Sequence, residues 1–256
     1  MTNLVLGSAT GYNKSHIYNF VKSLRKYYSD DIFFIVNNNI DETTDIFLNE
    51  NKISKIITNV KGKKIQKERY TIYLDFLEKK NYQKILITDV RDVLFQNNPF
   101  NNKNFSNLNF FLEDKIIEKC PYNSRWINKL YGSKIYKEIK HHQISCSGTV
   151  FGYKDGIIKY LNRMLYHKKH FKYFSLFNFG YDQGWHNFII HKEKNLECKK
   201  FDNQSGFVAT IGNSNISDFV FSDTIKTKKG AVIDVIHQYD RKKFSNIIPN
   251  IIKKII

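Results

Sequence analysis

Cysteine is scarce in this chain of 256 residues: there are three, Cys120, Cys146 and Cys198. An odd count without Cys-x-x-Cys spacing argues against a disulfide framework or a zinc site and fits reduced thiols in a cytosolic compartment. Long apolar runs are missing as well. No stretch approaches the roughly 20 apolar residues of a membrane span, and no secretory signal is visible, so a cytoplasmic protein is expected. Acidic residues are few, 24 against 41 lysines and arginines, which gives a formal charge of +17. That excess suggests an anionic partner: nucleotide, phosphorylated substrate, anionic lipid or nucleic acid. A compositional bias towards Lys, Asn, Ile, Tyr and Phe produces the same excess with no partner at all. The lysines are dispersed and no nucleic-acid-binding motif is present, so no nucleic acid is expected.

What is there argues for a folded α/β domain. Hydrophobic content of 41% and aromatic content of 15% are too high for a disordered chain. The length suits one domain over 1–256 with a full core. The most informative stretch is Tyr82 to Phe100, YQKILITDVRDVLFQNNPF. Ile85, Leu86 and Ile87 form the continuous apolar run of a strand buried on both faces. The run ends on Thr88-Asp89-Val90-Arg91-Asp92 and resumes at Val93-Leu94-Phe95. Carboxylates at the carboxyl end of a buried strand are unfavourable without a compensating cation, and ligands of open α/β sheets bind at that end. A divalent ion holding phosphate oxygens would compensate them. So would Arg91, in a purely structural salt bridge.

The preceding chain reads as alternating strand and helix, the signature of a mostly parallel sheet covered on both faces. Strand Leu4–Leu6 leads through Gly7-Ser8-Ala9-Thr10-Gly11-Tyr12 into a helix from about Ser15 to Tyr28. This turn matches neither the P-loop nor Gly-x-Gly-x-x-Gly. It is either a plain connection or a nucleotide-side loop in which Ser8, Thr10 and Tyr12 contact a base or ribose. Strands are expected at Ile32–Val36 and Lys55–Thr58, with a short helix near Glu42–Asn49. A helix over Ile65–Lys80 should turn Ile65, Ile72, Phe76 and Leu77 inward. Arg69 shares that face, and either snorkels to solvent or reaches a nucleotide beside the aspartate strand.

Later stretches add polar groups. Leu108–Asp114 reads as a strand, and Cys120–Gly132 as a helix whose tryptophan could wall a substrate. Ile144–Tyr153, ISCSGTVFGY, is a strand interrupted by small residues, where Gly148 marks a bulge or the approach of a ligand. Cys146 lacks a nucleophile elbow and reads as a small buried hydrophobe. A helix from about Asp155 to Phe171 ends in basic residues that suit its dipole. In Phe179–His191, FGYDQGWHNFIIH, Asp182 either caps a helix or projects with Gln183 into a cleft, and it shares a face with His186. Strand Ala231–Ile236 delivers His237-Gln238-Tyr239-Asp240-Arg241, with an arginine suited to phosphate. The tail Ile247–Ile256 reads as a basic amphipathic piece packed on the domain, with peripheral membrane contact as the alternative.

In chain order, VLGSATGY, ITDVRDVLFQNNPF, the SGT segment followed by GYDQGWHN, and VIHQYD resemble the glycosyltransferases of the GT-A fold, which use nucleotide-sugar donors. The resemblance spans nearly the whole chain. It implies a Rossmann-like domain, 1–114 forming a nucleotide-binding half and 115–256 an acceptor-binding and metal-completing half. Such enzymes use Asp-x-Asp to hold a divalent ion, where this chain has Asp-Val-Arg-Asp. Asp92 matches the second aspartate by context, and Asp89 lies one residue early, to ligate the metal or to meet the ribose. His237 matches a third metal ligand, Ser147 and Gly148 the donor-sugar wall, and Asp182-Gln183 the acceptor-side pair. The implied cofactor is Mn²⁺ or Mg²⁺, and the implied donor a UDP- or GDP-sugar. Arg69, Arg91 and Arg241 are the expected cations around it. The acceptor would be a glycan, a protein or a lipid-linked molecule, with Asp182 as base if the reaction inverts or as a cation stabiliser if it retains. A metal-dependent phosphohydrolase or nuclease, and a non-catalytic anion- or RNA-binding domain, are the competing expectations.

Overall fold

A computed structural model describes residues 2–101, 104–171 and 180–256. Its main sheet is built from Leu4–Ser8 (β1), Asp31–Asn37 (β2), Ile53–Thr58 (β3) and Lys84–Thr88 (β4), which run parallel. Val93–Phe95 (β5) leaves this sheet, and Leu108–Ile116 (β6), Gln143–Tyr153 (β7) and Lys199–Phe201 (β8) complete it in the order β3-β2-β1-β4-β7-β6-β8. Strand β7 runs against both of its neighbours, so the sheet is mixed. The chain is therefore α/β, as expected.

Burial on both faces follows from the side-chain period of two. Val5 and Leu86 point to one layer, containing Ile17, Phe20, Val21 and Leu24 of Lys14–Tyr27 (α1) and Phe47 and Leu48 of Glu42–Glu50 (α2). Leu4, Leu6, Ile85 and Ile87 point to the other. There they meet residues from Ile65–Glu78 (α3), Pro121–Ile139 (α4), Lys154–His170 (α5) and Tyr181–Lys192 (α6). Helix α4 runs past the expected end at Gly132, whose φ of +81° breaks it into two pieces. The buried residues of α3 are Arg69, Tyr70, Tyr73, Leu74 and Leu77; Ile65, Ile72 and Phe76 are only partly covered. The expected stripe is rotated because the tyrosines, with polar tips but large apolar rings, take the central positions against the sheet.

Strand β7 runs unbroken, but against β6 it carries the expected bulge. From Val150 to Ser145 it advances five residues while β6 advances two, from Phe110 to Leu112, so the extra residues lie among the small ones at 146–149. The region after α6 departs most from expectation. Val208–Thr210 (β9), Phe219–Phe221 (β10), Ile225–Thr227 (β11) and Val235–His237 (β12) are three residues each, too short to leave a period in the sequence. Strand β12 starts later than Ala231, because Ile233 instead donates its backbone N–H to Ile225 O. A second sheet, β5-β12-β9, sets β12 antiparallel to β5 and parallel to β9. Ile248–Ile255 (α7) packs on it through Ile248, Ile251 and Ile255, as expected of the tail. Among the described residues, no helix is long and apolar enough to cross a membrane. Phe179, the first residue of the 179–191 stretch, lies outside the described residues.

Candidate functional site

Strand β4 ends at Thr88, and the next four residues turn sharply. Val90 is buried against β1, where a Cβ on Gly7 would stand 2.4 Å from Val90 Cγ1. Glycine at position 7 thus lets the turn pack onto the sheet. With Val90 inward, Asp89 and Asp92 flank it, which is why the two carboxylates are separated by two residues and still face one cavity. Backbone bonds fix both: Asp89 N–H donates to Gly148 O at 2.7 Å, and Gln238 N–H donates to Asp92 O at 2.7 Å.

The histidine arrives from the second sheet. His237 sits opposite Val93 and beside Thr210, and is 1% exposed. Its Nδ1 lies 3.3 Å from Thr210 Oγ1, a contact that orients the ring. Its Nε2 is buried without a hydrogen-bond partner, 3.7 Å from both Asp89 Oδ2 and Asp92 Oδ1. Those distances are too long for hydrogen bonds. They do suit ligands sharing one ion, which at about 2.1 Å from it stand roughly 3–4 Å apart. One ligand atom from each of Asp89, Asp92 and His237 lies within 4.8 Å of the others. A Cβ at Gly148 would fall 2.4 Å from Asp89 Oδ2 and 2.7 Å from His237 Cε1, so the absent side chain leaves room there. An orphaned imidazole nitrogen, two carboxylates and that gap fit a hard divalent cation.

Electrostatics follow from burial and charge together. Burial pushes the carboxyl of Asp89 up, but Arg69 and His237 beside it more than offset this and hold it below the usual range. Burial raises Asp92 despite His237 nearby. Burial also opposes charge on His237, yet Cys146, Asp89 and Asp92 together raise its pKa. Arg91 and Arg241 approach Asp92 Oδ2 at 3.6 and 3.5 Å, and both also reach Asp240. Their side chains are about two-fifths exposed, 42% and 39%, leaving donors free to face an anion.

Arg69 does not snorkel. It is buried, donating from Nη1 to Asp89 Oδ1 at 2.7 Å and from Nη2 to Asp182 Oδ2 at 3.3 Å. Tyr70 OH lies 3.4 Å from the same Asp182 oxygen. The cap of α6 is Gly180, not Asp182, and Asp182 lines the cavity, its pKa raised by burial. His186 makes no bond to Asp182. It is held by Tyr160 OH and Ser145 Oγ at 2.8 and 3.0 Å, and burial lowers its pKa to about 3. Gln183 is fully engaged with β7, accepting from Ser147 N–H at 2.8 Å and donating to Ser145 O at 2.6 Å.

One cavity of about 620 Å³ is lined by Ser8, Thr10, Tyr12, Arg69, Asp89, Arg91, Asp92, Ser147, Gly148, Asp182 and Arg241. Gln183 and His237 stand behind its wall. Cys146 also lines it and is partly exposed, not the buried hydrophobe expected, because it lies in the bulge of β7, with Gln238 Nε2 3.6 Å from its Sγ. Burial nonetheless raises the thiol pKa. The sequence did not single out Gln238, whose φ of +59° is unusual for a side chain with a Cβ, or the buried Glu113, which accepts from Asn213 Nδ2 at 2.5 Å. Gln238 follows the histidine directly, and that adjacency was the only available signal. No protein-family model and no curated protein matches this sequence, so what the cavity does must be inferred from its own chemistry.

Proposed function

We propose that this protein is a glycosyltransferase of the GT-A type. It would move a sugar from a UDP- or GDP-sugar to an acceptor hydroxyl and depend on Mn²⁺ or Mg²⁺. The observation that carries the proposal is the convergence of Asp89, Asp92 and His237 within 4.8 Å of one another, at a cavity that also receives Arg69, Arg91 and Arg241. Asp89, Asp92 and His237 would hold the ion, which when bound supplies Lewis-acid stabilisation to a leaving diphosphate. Arg91 and Arg241 add fixed positive charge at the rim, where phosphate oxygens gain negative charge. Ser8, Thr10 and Tyr12 line the nucleotide side, and Ser147 with Gly148 bounds the sugar.

Asp182 faces the same space with one oxygen steadied by Arg69 and Tyr70. In an inverting reaction it takes the proton of the acceptor hydroxyl; in a retaining one its charge steadies the sugar cation. A raised carboxyl pKa suits a base better than an ordinary one, since it binds the proton more strongly.

Asp92→Asn and His237→Ala should each lower metal-dependent turnover of UDP- or GDP-sugars by a factor of about 100 or more, with circular dichroism unchanged. Full turnover in both folded variants would remove the proposal. Quantitative hydrolysis of the donor to sugar phosphate and nucleoside monophosphate, with no acceptor present, would favour the phosphohydrolase.

A further inference from the structure

We propose that the acceptor is a carbohydrate, and that Trp126 and Tyr122 form the aromatic wall on which its ring stacks. This rests on the transferase proposal above and narrows its acceptor class. Contacts set the order of groups along the cavity. His237 lies 3.7 Å from Asp89, Asp89 is joined to Arg69 at 2.7 Å, and Arg69 to Asp182 at 3.3 Å. Two residues before Asp182, Gly180 adopts φ +78°, and a Cβ there would stand 2.1 Å from Trp126 Cζ2. The indole thus lies against the chain that delivers Asp182, one step beyond it in the series that begins at the metal-ready triad.

Trp126 lines the cavity and is partly exposed. Tyr122, one helical turn earlier, is 61% exposed, with ring centroids 5.9 Å apart and planes tilted by 35°. Two adjacent aromatic faces leading out of a polar cavity form an amphipathic surface, apolar over the rings and rich in hydrogen-bonding groups at its edge. A hexose has matching character: C–H groups on one ring face and hydroxyls around the perimeter. Seated on Trp126, it would turn a hydroxyl towards Asp182. Gln66 and Asp182 line the same cavity and can meet the hydroxyls of a sugar.

The test uses the full chain without metal or nucleotide. Trp126 and Trp185 are the two tryptophans, and Trp185 is fully buried, so a ligand-induced change in emission reports on Trp126. Titration with lactose, maltose and cellobiose should give a saturable change for at least one of them. By saturation-transfer NMR, Trp126→Ala should weaken that disaccharide about tenfold and the exposed Tyr122→Ala about threefold, while Trp126→Phe retains most of the affinity. Binding of UDP and GDP with Mn²⁺ should not change in any variant. The inference is overturned if no disaccharide binds or if the alanine variants bind it normally. It is equally overturned if they lose nucleotide as much as sugar, since the wall would then belong to the base. Should Trp126→Ala fail to fold, Tyr122→Ala and Trp126→Phe decide the matter. Failure of the unsubstituted chain to bind any disaccharide, with its Asp92-dependent turnover intact, would remove this inference alone; full turnover in both Asp92→Asn and His237→Ala would remove the proposal above and leave a sugar-binding wall.

Discussion

The two aspartates and the histidine reach one point from sheets of different build. Asp89 directly follows β4, a central strand of the main sheet with apolar neighbours above and below, and Asp92 directly precedes β5, where the chain enters the second sheet. His237 hangs from β12, one of three three-residue strands in the second sheet. Ladders that short contribute few hydrogen bonds, and side-chain amides supplement them. Gln96, 2% exposed, donates to Ile225 O and Ile233 O at 2.8 and 2.7 Å and accepts from Ile225 N–H at 2.7 Å. Asn203 does the same for Thr210, and reaches Asp114 at the end of β6. The main sheet thus rests on long ladders between apolar layers, and the second on short ladders whose apolar cluster is supplemented by a few satisfied polar groups. Polar networks of this kind fail sharply when a single member is lost.

Gln96→Ala tests that contrast most severely. It removes the Gln96 partner of Ile225 N–H and Ile233 O, while Ile225 O keeps the bond from Ile233 N–H, and should cost about 3 kcal/mol of stability. Hydrogen exchange should accelerate first in β12 and last in β1 and β4; uniform acceleration would show that the two sheets open together. Gly148→Ala comes next. Its Cβ would collide with Asp89 and His237 where the two sheets meet, and Mn²⁺ affinity by calorimetry should fall about tenfold to a hundredfold, with a much smaller change in melting temperature. Equal Mn²⁺ affinity would show that the gap above Gly148 has no part in binding.

The smallest effect concerns Asp234, directly before β12, whose Oδ1 accepts from Asn97 Nδ2 at 2.8 Å. Burial raises its pKa to about 6, against a smaller lowering by Asn97. The folded state then holds a proton that the unfolded state has released, so this residue makes stability fall as pH rises from about 4 to 6. The slope should show in β12 exchange rates, and Asp234→Asn should remove it while stabilising the protein by about 1 kcal/mol at pH 7. A slope that persists in the variant would assign it elsewhere.

Legibility in the sequence follows the same division. β4 and the strands before it could be read because burial on both faces demands continuous apolar runs, and the carboxylates stood out against that background. His237 could be read because a short apolar run leads into it. Strands β9, β10 and β11 could not, since three residues define neither a run nor an alternation. Ser147, Gly148 and Asp182 were marked by small or charged residues in unusual company, and all three line the cavity. Local spacing suggested a pair between Asp182 and His186, but Tyr160 and Ser145, distant in the chain, hold the histidine. The inward stripe on α3 was misplaced for a similar reason: helical period gives a face, and only packing says which neighbours cover it.

The sequence by itself determined the strand–helix alternation and the positions of the acidic and imidazole groups, because those depend on which residues are apolar over a few consecutive turns. The tertiary structure alone decided that Arg69 would lie between Asp89 and Asp182, that Gln183 would hold β7, and that His237 would aim an unpartnered nitrogen at two carboxylates. Those are distances between residues separated by 20 to 148 positions, set by how layers close on one another, and no local pattern encodes them.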